Sequence, residues 1–234
     1  MPQNVLVTGA NRGIGLEFTR QLLARGDHVI AACRKPGQAH ALDLLAGEYP
    51  GRLQVAPLDV ADAASHKALV GELPILLGEA GRLDLVIQNA GVLHSGERFG
   101  QLKEATLMDS FRTNASGPLL LAQSLAPWLA EGGKIANLSS ILGSIADTDA
   151  FSTPSYRISK AAQNMATRLL AAALKEAGIT VLALHPGWVQ TDMGGAGASV
   201  TAQASAQGLL GVIDAATLAD SGRFLDWRGH EIAW

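Results

Sequence analysis

Asn4-Val5-Leu6-Val7-Thr8-Gly9-Ala10-Asn11-Arg12-Gly13-Ile14-Gly15 is the stretch that decides the fold. A short apolar run gives way to a glycine cluster, and a helical pattern opens near Leu16. Glycine allows a tight turn and lets the backbone approach a phosphate, while a helix N-terminus supplies amide donors and the positive end of a dipole. The spacing is Gly-x3-Gly-x-Gly rather than Gly-x-Gly-x-x-Gly. Alone it is weak evidence, but its place between a strand and a helix strengthens it. Gly9, Asn11, Arg12, Gly13, Ile14 and Gly15 are therefore the expected turn against a dinucleotide.

Outward from this turn, similar runs recur at His28–Cys33, Leu53–Leu58, Leu83–Gln88, Lys134–Ser139, Thr180–His185 and, more weakly, Arg223–Trp227. Several are almost continuously apolar, which suits strands covered on both faces. Their alternation with helical segments predicts an α/β protein, a doubly wound, mostly parallel seven-stranded sheet with helices on both faces. No linker rich in Pro, Gly or Ser divides the chain, so residues 1–234 are expected to form one domain, with 190–222 as a substrate-loop region. Within that region Gly194–Ser199 reads either as a flap or as an ordinary surface loop. Two segments, Thr106–Glu131 and Tyr156–Ala177, are apolar or small around much of the helix circumference. Such helices are buried on more than one side; a second subunit or an internal neighbour would cover them, and a homodimer or homotetramer is the expectation.

Of the 234 residues 48% are apolar and 17% charged, with a net charge of −3, so nothing draws the chain toward nucleic acid or a membrane surface. The single cysteine, Cys33, cannot form an internal disulfide and sits in an apolar run, where it reads as a small buried hydrophobe. No secretory pattern opens the chain, and no run reaches the roughly 20 apolar residues of a membrane span. The expectation is a cytoplasmic protein.

The second strand ends Cys33-Arg34-Lys35, where a ribose-binding carboxylate would otherwise stand. Together with Arg12 these cations suit a 2′-phosphate, so NADP(H) is expected over NAD(H); a solvated strand end is the plainer alternative for Arg34 and Lys35. Further on, Tyr156 and Lys160 stand four residues apart and so share one face of a helix. An ammonium there can lower the pKa of a phenol, ordinarily about 10, and make it a proton donor near neutrality. By itself such a pair is common on solvated helices.

Together, the glycines and the Tyr-Lys pair resemble the short-chain dehydrogenase/reductase family, and the resemblance runs through the chain in the family's order. Asn89-Ala90-Gly91 follows the fourth strand, preceded by Gln88 where a second asparagine is common. Asn114 matches the catalytic asparagine, Asn137-Leu138-Ser139-Ser140 the segment of the catalytic serine, and His185-Pro186-Gly187-Trp188-Val189-Gln190-Thr191 the clasp on the nicotinamide. Ser140-Ile141-Leu142-Gly143-Ser144-Ile145, Trp188 through Gly195 and the ending Ser221–Trp234 are similar to C-factor and sniffer-type carbonyl reductases. The 16-residue step from Ser140 to Tyr156 is longer than in many members, and the extra residues, Asp147–Thr153, should reshape the substrate mouth.

The resemblance implies a Rossmann fold and a carbonyl reductase or alcohol dehydrogenase. Tyr156 would donate the proton, Lys160 would lower its pKa and hold the nicotinamide ribose, and Ser140 would bind the substrate oxygen. Asn114 would interrupt its helix and hold a water linking Lys160 to solvent; a capping or packing role is the alternative. Asp59 and Val60 would contact adenine, with a helix N-cap as the alternative for Asp59. Asn89, Ala90, Gly91, Pro186, Gly187, Val189 and Thr191 complete the implied cofactor site, and His94, Phe151 and Trp188 flank the mouth. No His, Cys, Asp and Glu cluster has ligand spacing, so no metal is expected. The competing function is a dinucleotide-binding sensor or signalling protein with little turnover; such a protein would be expected to lose the tyrosine or lysine.

Overall fold

Val5, Leu6 and Val7 are fully buried, as an apolar run is when helices cover both faces of a sheet. The computed structural model describes residues 2–78 and 81–234. Its strands are β1 (Asn4–Thr8), β2 (His28–Cys33), β3 (Leu53–Pro57), β4 (Leu83–Gln88), β5 (Leu129–Leu138), β6 (Thr180–His185) and β7 (Phe224–Asp226). They form one sheet in the order β3-β2-β1-β4-β5-β6-β7. Every pairing is parallel, so the sheet is wholly rather than mostly parallel.

The helices are α1 (Gly13–Arg25), α2 (His40–Glu48), α3 (Ala63–Leu77), α4 (Glu104–Phe111), α5 (Gly117–Leu125), α6 (Pro154–Ala173) and α7 (Ala202–Ala215). Phe18 and Leu22 of α1, Leu42 of α2 and Leu209 of α7 pack on Val5, Val7, Leu85 and Leu184. Leu69 and Leu73 of α3, Leu121 and Leu125 of α5 and Leu170 of α6 cover Leu6, Val86, Ile135 and Val181 on the other face. Truncating a fully buried leucine such as Leu121 to alanine would cost about 2–5 kcal/mol. Helix ends follow local chemistry: Gly26, at φ 104°, closes α1, and the Asp62 carboxylate caps α3 by accepting from the Ala64 amide.

The expected helix over Thr106–Glu131 is instead four pieces: α4, a π-helical turn at Arg112–Ser116, α5 and a 3₁₀ turn at Ala126–Trp128. Pro127 has no amide to continue the ladder, and Leu129 already pairs with Leu83, so β5 begins five residues before the expected Lys134. α6 stops at Ala173, short of Ala177. Within 190–222, residues 202–215 are α7, whose Ala206, Leu209 and Ile213 are buried in the core. The flanking segments hold only a 3₁₀ turn at Leu218–Asp220 and the bridge residue Val200, and α7 stands between them because parallel strands need a covering helix on this face as well. No helix among the described residues is long and apolar enough to cross a membrane.

Candidate active site

The glycine turn is held by its neighbour strand. Asn89 Nδ2 donates to the carbonyls of Thr8 (2.9 Å) and Gly9 (3.1 Å), and Thr8 Oγ1 accepts from the amides of Asn89 and Ala90. Asn89-Ala90-Gly91 thus braces the turn across the gap between β1 and β4, where the strand order reverses and open α/β sheets bind ligands. Gly9 takes φ 64°, and a Cβ on Gly15 would stand 2.2 Å from the Gly9 carbonyl oxygen. Both glycines are demanded by this approach. α1 begins at Gly13, earlier than the expected Leu16; Ile14 packs on the core, while Asn11 and Arg12 are exposed.

The cations are split. Arg34 and Lys35 lie exposed at the end of β2, and neither makes an ion pair among the described residues. Arg12 Nη1 instead meets Asp192 Oδ2 at 3.0 Å, across to the loop after β6. Guanidinium and ammonium donors with no carboxylate at the end of β2 are a donor set that fits a phosphate. Asp59 follows β3; its carboxylate accepts from the Ala61 amide, and the cap of α3 falls to Asp62 instead. Val60 is buried beside it.

Past the C-terminal ends of β5 and β4 lies a buried polar centre. Ser140 opens the 3₁₀ turn Ile141–Gly143, its hydroxyl accepting from the Leu142 amide at 3.2 Å and lying near enough to Tyr156 to act on its phenol. Ser139 turns away and donates to Asn164 Oδ1 at 2.6 Å. Lys160, one turn along α6 from Tyr156, is 4% exposed. Its Nζ donates to the Leu138 carbonyl (2.6 Å) and Gln163 Oε1 (2.8 Å), and stands 5.6 Å from the centre of the Tyr156 ring. Burial pushes the Tyr156 pKa up to about 12, with Ser140 pulling the other way, and burial pushes Lys160 down to about 7. The expected lowering of the phenol is therefore not found. Desolvation outweighs the ammonium, which is turned toward β5 rather than the phenolic oxygen.

Asn114 falls in the π-helical turn. Its Oδ1 accepts from the Val92 amide, and its Nδ2 donates to the Val92 carbonyl and Ser159 Oγ, all within 2.9 Å. Ser159 Oγ in turn donates to the Tyr156 carbonyl at 2.7 Å. The side chain is thus committed to joining the loop after β4 to α6, and the interruption of the helix is made by the backbone, as π-bulges do.

Around this centre the side chains are open. Phe151 is exposed and meets Phe99 edge-on, centroids 5.4 Å apart. His94 Nε2 lies 2.8 Å from Asp109 Oδ2, and the Trp188 indole donates to the Gly194 carbonyl. That indole bond and the pairing of Val189 with Val200 tie down the loop that includes Gly194–Ser199. Pro186 accepts from Ser205 Oγ, Gly187 takes φ 84° over Trp227, and Thr191 Oγ1 accepts from the Gly194 amide. Among the described residues no group of three His, Cys, Asp or Glu side chains could hold a metal ion.

Three participants escaped the sequence reading. Glu97 accepts from the Ser155 amide and hydroxyl at the start of α6, across 58 residues of chain that no local pattern spans. The Trp234 carbonyl accepts from the amides of Ile145 and Ala146, pinning the segment between Ser140 and Tyr156. Gln163 lies three residues from Lys160, and helical spacing alone would have put it on the same face.

Residues 3–199 match the sequence profile of the family described as short chain dehydrogenase. The chain is 40% identical over 156 residues to C-signal of Myxococcus xanthus, covering 66% of this chain and 94% of that one. It superposes on the NADPH-bound carbonyl reductase from chicken fatty liver with a TM-score of 0.93 and 41% identity, covering 100% and 99% of the two chains. For the carbonyl reductase Sniffer of D. melanogaster the values are 0.95 and 30%, with both chains covered in full.

Proposed function

The chain belongs to the short-chain dehydrogenase family, and on that footing we propose that it is an NADPH-dependent carbonyl reductase and alcohol dehydrogenase, one dinucleotide-binding domain along its length. The observation that carries the reading is the buried Ser140, Tyr156 and Lys160 group at the C-terminal end of β5, the same end of the parallel sheet that carries the braced glycine turn after β1. Bound there, the dinucleotide would exchange hydride with the substrate carbon. Tyr156 gives its phenolic proton to the carbonyl oxygen as that oxygen becomes an alkoxide. Ser140 donates to the same oxygen, stabilising charge as it develops. Lys160 would hold the ribose of a bound dinucleotide and, with its ammonium beside the phenol, would lower the pKa that burial has raised. Asn114 is a positioning residue, holding the loop after β4 at a fixed distance from α6.

For the cofactor, the backbone of Gly9, Asn11, Gly13, Ile14 and Gly15 faces the diphosphate, and Arg12 and Arg34 take the 2′-phosphate. Arg12 does so by leaving Asp192. Asp59 and Val60 flank the adenine, while Asn89, Ala90, Gly91, Pro186, Gly187, Val189 and Thr191 enclose the nicotinamide half. His94, Phe151 and Trp188 offer the substrate mainly apolar contact. NADP(H) preference is supported by the donor set at β2 and by the NADPH bound to the chicken reductase. A homo-oligomer is supported by Phe111, Leu120, Met165 and Leu169, exposed apolar side chains on α4, α5 and α6; a strict monomer in light scattering would remove that part.

Oxidation of NADPH against a panel of aldehydes, ketones and quinones tests the whole. Turnover that favours NADPH over NADH is the expected result. Binding of NADPH without turnover across the panel would make the protein a dinucleotide sensor instead.

A further inference from the structure

One buried polar group beside Lys160 has no part in that chemistry. Gln163 is 1% exposed, and its Oε1 accepts from Lys160 Nζ at 2.8 Å. The direction is fixed, because an ammonium only donates and so must face the amide oxygen. The main-chain carbonyl of Gln163 accepts from Thr167 Oγ1, which accepts from Asn137 Nδ2. Asn137 pairs in register with Gln88 across β5 and β4. Both point to the sheet face of Ile135 and Val86, by the two-residue alternation of strands. Gln163 Nε2, Asn137 Oδ1 and Gln88 Oε1 are buried without a protein partner.

Elsewhere this layer is Leu, Ile, Val and Ala. An apolar side chain at 163 would fill the space without stranding an amide donor, each such stranded group costing about 1–3 kcal/mol. What the glutamine supplies in return is an acceptor for a charge that has left water. A buried ammonium needs acceptors for its three protons, and Lys160 has two, the Leu138 carbonyl and Gln163.

We propose that Gln163 is a positioning residue for Lys160, its amide oxygen favouring the charged ammonium and seating it at the end of β5. Among the described residues no charged side chain does this. Burial is the sole cause of the Lys160 shift, with no carboxylate contributing. Tyr156, on the same helix, is neutral over the working range. Glu97, from the loop after β4, is engaged by Ser155, and His185 at the end of β6 is held neutral by burial, its pKa lowered to about 4. The remaining polar side chains packed around α6 here, Asn114, Asn137 and Ser139, are uncharged.

The seat stands on geometry alone; its use in catalysis rests on the proposed role of Lys160. Gln163→Leu and Gln163→Glu separate the two in the full chain. Lys160 is titrated without cofactor by NMR of lysine-labelled protein, the resonance being assigned by its loss in Lys160→Arg. The expected result is a midpoint moved down by about one pH unit in the leucine variant and up by at least as much in the glutamate variant. The pH at which NADPH binding weakens, read by fluorescence titration, should move the same two ways. Coincident midpoints, or both variants shifting in one direction as a merely structural disturbance would, overturns the proposal. If Gln163→Leu fails to fold, Gln163→Met supplies the apolar arm. Opposite shifts in a protein that turns over no carbonyl would leave the seat standing and remove only the catalytic reading.

Discussion

The polar centre and the rim around it are built on opposite physical principles. Ser140, Tyr156, Lys160 and Asn114 are each at most 8% exposed and are tied into strands, a π-helical turn and α6 by short hydrogen bonds. Phe99, Phe151, Trp188 and Met193 are open to solvent and hang on loops. A buried group cannot move without breaking bonds that water will not replace, whereas a loop side chain can change at small cost. On the proposed function, the chain fixes its chemistry in the core and leaves its selectivity at the surface.

That contrast is most exposed to failure at Tyr156. Tyr156→Phe removes one hydroxyl from a packed site and should lower kcat by about 10³-fold or more while leaving NADPH binding nearly intact; steady-state kinetics with fluorescence titration checks both, and retained turnover would end the assignment. Ser140→Ala should cost about 10²–10³-fold in kcat with less change in KM, since Ser140 acts on charge that develops late. A mutant that lost substrate affinity alone would place Ser140 on the rim.

The burial of Lys160 makes a stability prediction with a definite sign. Its folded pKa of about 7 lies below the ordinary 10.5. Between these values the unfolded chain binds more protons, so the Lys160 contribution to stability rises with pH. Lys160→Met should therefore melt higher than the wild type near pH 6, and the gain should shrink steadily toward pH 10. Thermal melts of the cofactor-free proteins at a series of pH values read this directly. A gain independent of pH would mean that Lys160 is not buried as a charge. Tyr156, with its pKa raised from 10 to about 12, acts outside that window: its contribution falls as pH rises above 10.

Smaller effects belong to the open regions. Arg34→Glu should weaken NADPH about 10–100-fold and NADH little, the size of one charge-assisted hydrogen bond removed and replaced by repulsion; equal weakening of both would remove the 2′-phosphate reading. Phe151→Ala should change KM a few-fold, differently for bulky and small carbonyls, and alter stability by no more than about 0.5 kcal/mol. A uniform decrease across substrates would move Phe151 from the mouth into the packing.

Much of the molecule is legible along the chain because it is local. The glycine turn, the Tyr156 and Lys160 spacing and the apolar strands are set by periods of two and 3.6 residues and by glycine's freedom. The misreading of Thr106–Glu131 has the same origin: apolar residues around a helix do not reveal that Pro127 and the Leu83 pairing end it. Nor does a motif reveal protonation. Helical spacing put a lysine beside a tyrosine, but only the depth of burial raises one pKa and lowers the other.

Short-range pattern in the sequence was therefore enough for the doubly wound sheet, the glycine turn and the identities of the polar groups at the strand ends. It took the packed fold to establish that Ser139 turns to Asn164, that Asp192 holds Arg12, that Glu97 grips the start of α6 and that Gln163 faces Lys160. Separation along the chain is the cause. Apart from the Lys160–Gln163 pair, these interactions join different segments of the chain, and even for that pair the charge is governed by how much water the packed fold excludes.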